Sequence, residues 1–99
     1  MIRENQPDSE AIQQAAEAVA VRALAFLAGR PEAIGRFLAL AGIGPENLRT
    51  AARQPEFLAG VLDYLCSDEP LLVAFAEEAG FGPQTVAIAR QRLSPAAES

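Results

Sequence analysis

The sequence predicts an all-α protein, a small bundle of five or six helices that contains two similar helical hairpins. Hydrophobic residues make up 51% of the 99 positions, which is enough for one core at this length. Apolar residues recur with helical spacing, and no useful stretch alternates with the period of two that a strand requires. Glycine and proline recur where helices should end and begin.

The first helix is predicted from Ser9 to Ala28, with Asp8 or Ser9 as its N-cap and Gly29 as its end. Its apolar positions follow four-three spacing, and further apolar neighbours widen the stripe almost all round. A helix of this kind is typically central in its bundle. The expected apolar positions are Ile12, Ala16, Val19, Ala20, Val21, Ala23, Leu24, Phe26 and Leu27.

Proline opens most of the later helices, because its fixed φ and missing N–H suit a first helical turn. The predicted helices are Pro31–Ala41, Pro45–Arg53, Pro55–Cys66, a fifth helix capped by Ser67 or Asp68 and ended by Gly80, and Pro83–Leu93. Their expected inward residues are Ile34, Phe37, Leu38, Ala41, Phe57, Leu58, Val61, Leu62, Leu65, Leu72, Phe75, Ala76, Ala79, Val86, Ala89 or Arg90, and Leu93. Residues 9–93 form the predicted single domain, with a disordered N-terminus at 1–8 and a disordered tail at 94–99.

An internal repeat links two of the predicted turns. Residues 41–48 resemble residues 79–86 at an offset of 38 positions, and both segments contain glycine, a large hydrophobic residue, glycine and proline. Gly42 and Gly80 are expected to take the left-handed C-cap conformation, with Ile43 and Phe81 folding back onto the preceding helix. We therefore expect residues 34–51 to match residues 72–89 as helical hairpins.

The segment from Leu38 to Pro45 also resembles the helix-hairpin-helix of DNA-repair proteins, whose glycine-hydrophobic-glycine turn lets backbone N–H groups approach a phosphate. That resemblance implies nucleic-acid binding as an alternative function. Two features argue against it. The family has a small residue where Leu48 and Val86 stand, and Glu46 places a negative charge in the first turn.

The residue types argue against most catalytic and metal chemistry. The chain has no histidine, the commonest general base and metal ligand, and a single cysteine, Cys66. The doublets Asp68-Glu69 and Glu77-Glu78 do not converge on one site, because neighbouring residues on a helix point about 100° apart. The sequence predicts a non-enzymatic protein without catalytic, cofactor-binding or metal-binding residues.

Charge is segregated along the chain. The formal net charge is −5, all eight basic residues are arginine, and residues 54–79 carry six acids without one basic residue. A net-negative chain is a poor candidate for binding nucleic acid or an anionic membrane. Glu77 and Glu78 fall in the last turn of a helix, where the dipole favours cations, so they need Arg90 or Arg92 as partners, or face a protein partner.

The favoured function is therefore a small protein–protein interaction module, with self-association as one possibility. Arg49 and Arg53 are spaced to share a helix face, which another copy of the chain would present to the acids. The candidate partner surface consists of Asp63, Glu77, Glu78, Arg49 and Arg53.

Location is predicted to be cytoplasmic. Residues 1–10 contain no apolar stretch of the signal-peptide type, and a lone cysteine suits a reducing compartment. The longest apolar stretch, Ala15 to Ala28, contains Glu17 and Arg22, so we expect no membrane-spanning segment.

Most of the chain, from about Ala15 to Leu93, resembles a family of short, Ala-rich alphaproteobacterial proteins of unknown function. The resemblance is carried by Arg22–Leu27, Arg36–Leu40, Gly42–Pro45, Phe57–Asp63 and Leu71–Ala76. It implies a small helical cytoplasmic protein. It implies no activity, ligand or catalytic residue.

Overall fold

The computed structural model describes the backbone of residues 5–93 and the side chains of residues 10–93. These residues form an all-α bundle of six α-helices with no strand among them. The helices are α1 (Asn5–Ala28), α2 (Pro31–Ala41), α3 (Leu48–Ala51), α4 (Pro55–Cys66), α5 (Glu69–Ala79) and α6 (Pro83–Leu93), and a 3-10 turn at Pro45–Asn47 precedes α3. The predicted boundaries of α2, α4 and α6 are confirmed.

Helix α1 begins at Asn5, four residues earlier than predicted. Asp8 and Ser9 therefore lie within the helix, and neither is its N-cap. Pro7 does not prevent this, because the first-turn N–H groups have no partner inside a helix and proline loses nothing there. The predicted disordered N-terminus at 1–8 therefore overlaps α1 at residues 5–8. Residues 1–4 and the predicted tail at 94–99 lie outside the described residues.

The predicted third helix, Pro45–Arg53, is shorter and less regular than expected. It divides into the 3-10 turn and the four-residue α3, and Ala52 follows as the C-cap. Gln54 is extended, with φ −95° and ψ 127°, because a residue that precedes proline is disfavoured in the helical region. The chain must therefore leave the helix before Pro55 opens α4.

Helix α1 is central, as predicted, and packs against α6, α4, α2 and α5. Val19, Ala23, Phe26 and Leu27 are all buried, and Phe26 packs on Phe75 with ring centroids 5.4 Å apart. Three expected inward positions are wrong, since Ile12, Val21 and Ala41 are exposed. The buried set also includes Ala16, Ala20, Leu24, Phe37, Leu38, Phe57, Leu58, Ala59, Val61, Leu62, Leu65, Ala76, Val86, Ala89 and Leu93.

One described segment, Glu10–Ala28, is long and apolar enough by length and composition to cross a membrane. It is the greater part of α1, the core helix of the bundle. A core helix of a bundle meets the same criteria of length and composition as a membrane span.

The two repeated turns have nearly the same backbone. Gly42 has φ 72° and Gly80 has φ 79°, so the predicted left-handed conformation is confirmed at both. The N–H of Ile43 donates to the carbonyl of Leu38 at 3.1 Å, and the N–H of Phe81 donates to that of Ala76 at 2.9 Å. These are the six-to-one bonds of a Schellman motif, in which the residue after the glycine folds back over the helix end.

Candidate interaction surface

The predicted acidic surface is partly paired within the bundle. Arg90 donates a hydrogen bond to Asp63, and this charged bond raises the pKa of the Arg90 guanidinium further above its ordinary value. A carboxylate oxygen of Glu78 lies 3.6 Å from a guanidinium nitrogen of Arg30. The Arg30 guanidinium carbon also lies over the ring of Phe26, 4.3 Å from its centroid.

The expected pairing of Glu77 or Glu78 with Arg90 or Arg92 is therefore corrected. Arg90 lies on α6 and forms an ion pair with Asp63 of α4. Arg30, at the start of α2, forms an ion pair with Glu78 of α5. Glu77 is exposed, and neither ion pair involves it. Asp63 and Glu78 thus pair with arginines on different helices and line different hollows.

Arg49 and Arg53 are both exposed, but they do not share a helix. Helix α3 ends at Ala51, so Arg53 lies in the turn that follows it. Arg49 borders a shallow apolar hollow between α1 and α3, lined by Val21, Leu24 and Leu48 among others. Among the described residues neither arginine forms an ion pair with Asp63, Glu77 or Glu78, so their contact with these acids in another copy stays a prediction.

Cys66 is partly buried at the end of α4. Burial raises the pKa of its thiol, Arg90 acts in the opposite direction, and Asp63 adds to the increase. A raised pKa keeps the sulfur in the weakly nucleophilic thiol form at neutral pH. Within the described part of the chain, no three Cys, Asp or Glu residues are grouped so that they could hold a metal ion.

In the turn that resembles a helix-hairpin-helix, the second glycine, Gly44, is covered by a side chain. A Cβ placed on Gly44 would lie 2.7 Å from a carboxylate oxygen of Glu46, so that side chain folds back over the glycine. In the second copy Gln84 takes the same position over Gly82, at 3.0 Å. A carboxylate over Gly44 puts negative charge where a phosphate would approach.

A concave groove with a volume of about 730 Å³ lies between the end of α2 and the face of α4 that carries Phe57 and Tyr64. We call it the α2–α4 groove. Phe37, Leu40 and Ile43 line one side, and Phe57 and Tyr64 line the other. Leu40 is 74% exposed, the most exposed large hydrophobic residue among those described.

Helix α4 supplies the floor and the charged rim of the α2–α4 groove. Glu56, Gly60, Asp63 and Ser67 recur three or four residues apart, so they share one face of the helix. Gly60 lines the groove, and a Cβ built on it meets nothing within 4 Å. Arg90 of α6 closes one end of the rim through its bond to Asp63.

Of the sequence-predicted surface, only Asp63 lines the α2–α4 groove. Sequence reasoning missed Leu40 and Gly60. Both left a signal: Leu40 is a large apolar residue outside the inward stripe of α2, and Gly60 is a glycine inside an otherwise regular helix. Neither signal says that the two residues meet, because that depends on how α2 packs against α4.

The chain belongs to the family described as Protein of unknown function (DUF3572), whose model matches residues 13–96. The match agrees with the expected resemblance to a family of unknown function, and the alphaproteobacterial source stays a prediction. No curated protein and no solved structure matches the chain.

Proposed function

We propose that this member of the DUF3572 family is a non-enzymatic protein–protein interaction module and that the α2–α4 groove is its binding face. The observation that carries the proposal is the position of Leu40, which stands 74% exposed on the edge of an apolar groove. Single exposed apolar residues are ordinary on protein surfaces, but an apolar side chain beside a concave apolar patch is typical of an interface.

The composition of the groove supports a peptide or protein partner. Phe37, Phe57 and Tyr64 supply aromatic area, and the rims carry Glu56 at one end and the Asp63–Arg90 pair at the other. Interfaces commonly place aromatic residues at the centre and charged residues at the rim. An amphipathic helix laid along the groove would bury its apolar face in this way.

Nucleic-acid binding through the Gly42–Pro45 turn is the alternative that the sequence leaves open, and it has less support. The Glu46 carboxylate lies over Gly44. The net charge of −5 opposes a polyanion in addition. Duplex DNA binding at micromolar affinity in physiological salt would reverse this ranking.

The proposed function is tested by selecting helix-forming peptides from a displayed library against the wild-type chain. We expect selected peptides to bind by apolar residues at helical spacing and to lose at least about tenfold in affinity against Gly60→Leu, whose side chain fills the groove. The matched control is Gly35→Leu, since Gly35 is also a helical glycine in open space but does not line the groove. Peptides that bind both variants as well as wild type would contradict the proposal.

A further inference from the structure

We propose that a second copy of this chain occupies the α2–α4 groove, so that the protein forms a two-fold symmetric homodimer. The inference rests on the proposed function, because it names the partner of the same groove. In a two-fold contact the same patch is used on both copies, so the patch must be complementary to itself. The apolar residues of the groove are complementary to themselves under a two-fold rotation, and so are its charged residues.

The apolar complementarity consists of one projection and one depression. Leu40 projects from α2 with 74% of its surface exposed, and Gly60 leaves open space on α4. Both belong to the same groove, so one rotation about a two-fold axis can bring each Leu40 over the Gly60 of the other copy. Two exposed leucines would be buried by a single contact, which favours association through the hydrophobic effect.

The charge complementarity comes from residues one helical turn away. Arg36 lies four residues before Leu40 on the same side of α2, and it is exposed. Glu56 lies four residues before Gly60, and Asp63 lies three residues after it. When α2 of one copy runs parallel to α4 of the other, with Leu40 over Gly60, Arg36 meets Glu56. In the opposite direction Arg36 meets Asp63, which already accepts a hydrogen bond from Arg90 of its own copy, so the parallel arrangement is favoured.

Arg36 and Glu56 are also available for such a contact. The ion pairs within the described residues are Arg30–Glu78 and Arg90–Asp63, and neither involves Arg36 or Glu56. Another copy of the chain thus supplies the apolar side chain that fits the groove and the cation that fits its rim.

The first measurement is sedimentation equilibrium over a wide range of concentrations, with far-UV circular dichroism to check folding. We expect wild type to dimerise, and Leu40→Asp and Gly60→Leu each to weaken the dimer by at least about tenfold. The matched controls are Ile88→Asp, at a residue 55% exposed on α6, and Gly35→Leu, and neither should change the dissociation constant.

The second measurement is a charge exchange between two chains. Arg36→Glu alone and Glu56→Arg alone should each dimerise at least about tenfold more weakly than wild type, because both symmetric contacts become repulsive. A mixture of the two chains should form a heterodimer of near wild-type affinity, since every contact in it again joins opposite charges.

The outcomes separate this inference from the proposed function. A wild-type chain that stays monomeric at all concentrations, or a dimer that mixing the two exchanged chains does not restore, would overturn the homodimer. If the groove then still binds selected peptides in a Gly60→Leu-sensitive manner, the interaction module stands and its partner is a different protein. If Gly60→Leu changes neither dimerisation nor peptide binding, both proposals are wrong.

Discussion

The two glycine-hydrophobic-glycine-proline turns can be compared directly, because the same sequence pattern leads to two different structures. Gly42 and Gly80 share φ values of 72° and 79°, and both turns make the six-to-one hydrogen bond. After the first turn the chain forms a 3-10 turn and the four-residue α3, whereas after the second it forms the eleven-residue α6. The expected match of residues 34–51 to residues 72–89 holds at the turns, and beyond them residues 45–47 form a 3-10 turn where residues 83–85 are α-helical.

Tertiary packing explains the difference. Val86, Ala89 and Leu93 of α6 are all buried, and α6 packs against both α1 and α4. No residue of α3 is fully buried, and Pro55 ends the available length shortly after it. Short helices depend on packing of an apolar face more than on propensity, so the turn alone does not set the length of the helix that follows.

The largest loss of stability should come from substituting the aromatic residues that precede the two turns. Phe75 is 2% exposed and contacts Phe26 and the partly buried Phe81, while its counterpart Phe37 is 4% exposed and contacts Phe57 and Tyr64 at the edge of the α2–α4 groove. Phe75→Ala should lower the free energy of unfolding toward the upper end of roughly 3–5 kcal/mol, and Phe37→Ala toward the lower end, because side chains beside an open groove can relax into the vacated space.

Urea denaturation monitored by circular dichroism measures both values. If Phe75→Ala is too unstable to study, the pair Phe75→Leu and Phe37→Leu should keep the same order. Equal losses at the two positions would mean that the two hairpins contribute equally to the core.

A second effect concerns glycines in two backbone conformations. Gly42→Ala and Gly80→Ala should each lower the free energy of unfolding by about 1–2 kcal/mol, because both residues have positive φ. A Cβ at either position meets no neighbour within 4 Å, so the backbone strain is the whole of the expected loss. Gly60→Ala should instead stabilise by about 0.5–1 kcal/mol, because Gly60 is helical and in open space. Thermal unfolding of the three variants measures the signs, and a stabilising Gly80→Ala would refute the explanation.

The smallest change in stability should come from the N-cap of α5, which differs from the N-cap of α2. Asp68 accepts a hydrogen bond from the N–H of Leu71 at 3.2 Å, whereas the equivalent Arg30 gives α2 no side-chain cap. Asp68→Ala should destabilise by about 1 kcal/mol, and Asp68→Asn should lose much less because the amide oxygen still accepts. Chemical denaturation of both variants tests this, and equal losses would indicate that charge, not capping, is the relevant property.

The candidate site was less predictable than the fold. Spacing along the chain identified the acids and arginines as surface residues, but it wrongly placed Arg49 and Arg53 on one helix and assigned Arg90 to the wrong region of the acidic segment. Charged side chains on different helices pair according to how the helices cross. The crossing angles between helices cannot be derived from the local sequence patterns.

The sequence by itself determined most of the helices and the ends marked by proline and glycine, because proline, glycine and apolar periodicity act over a few residues. The bounds of α2, α4 and α6 and the left-handed Gly42 and Gly80 follow from such local rules, and the structure selects Asp68 from the two predicted caps of α5. Tertiary structure decided that α3 stays short, that Asp63 pairs with Arg90, and that Leu40 stands beside Gly60 at the α2–α4 groove. These features depend on contacts between residues far apart in the chain, which local propensity cannot specify.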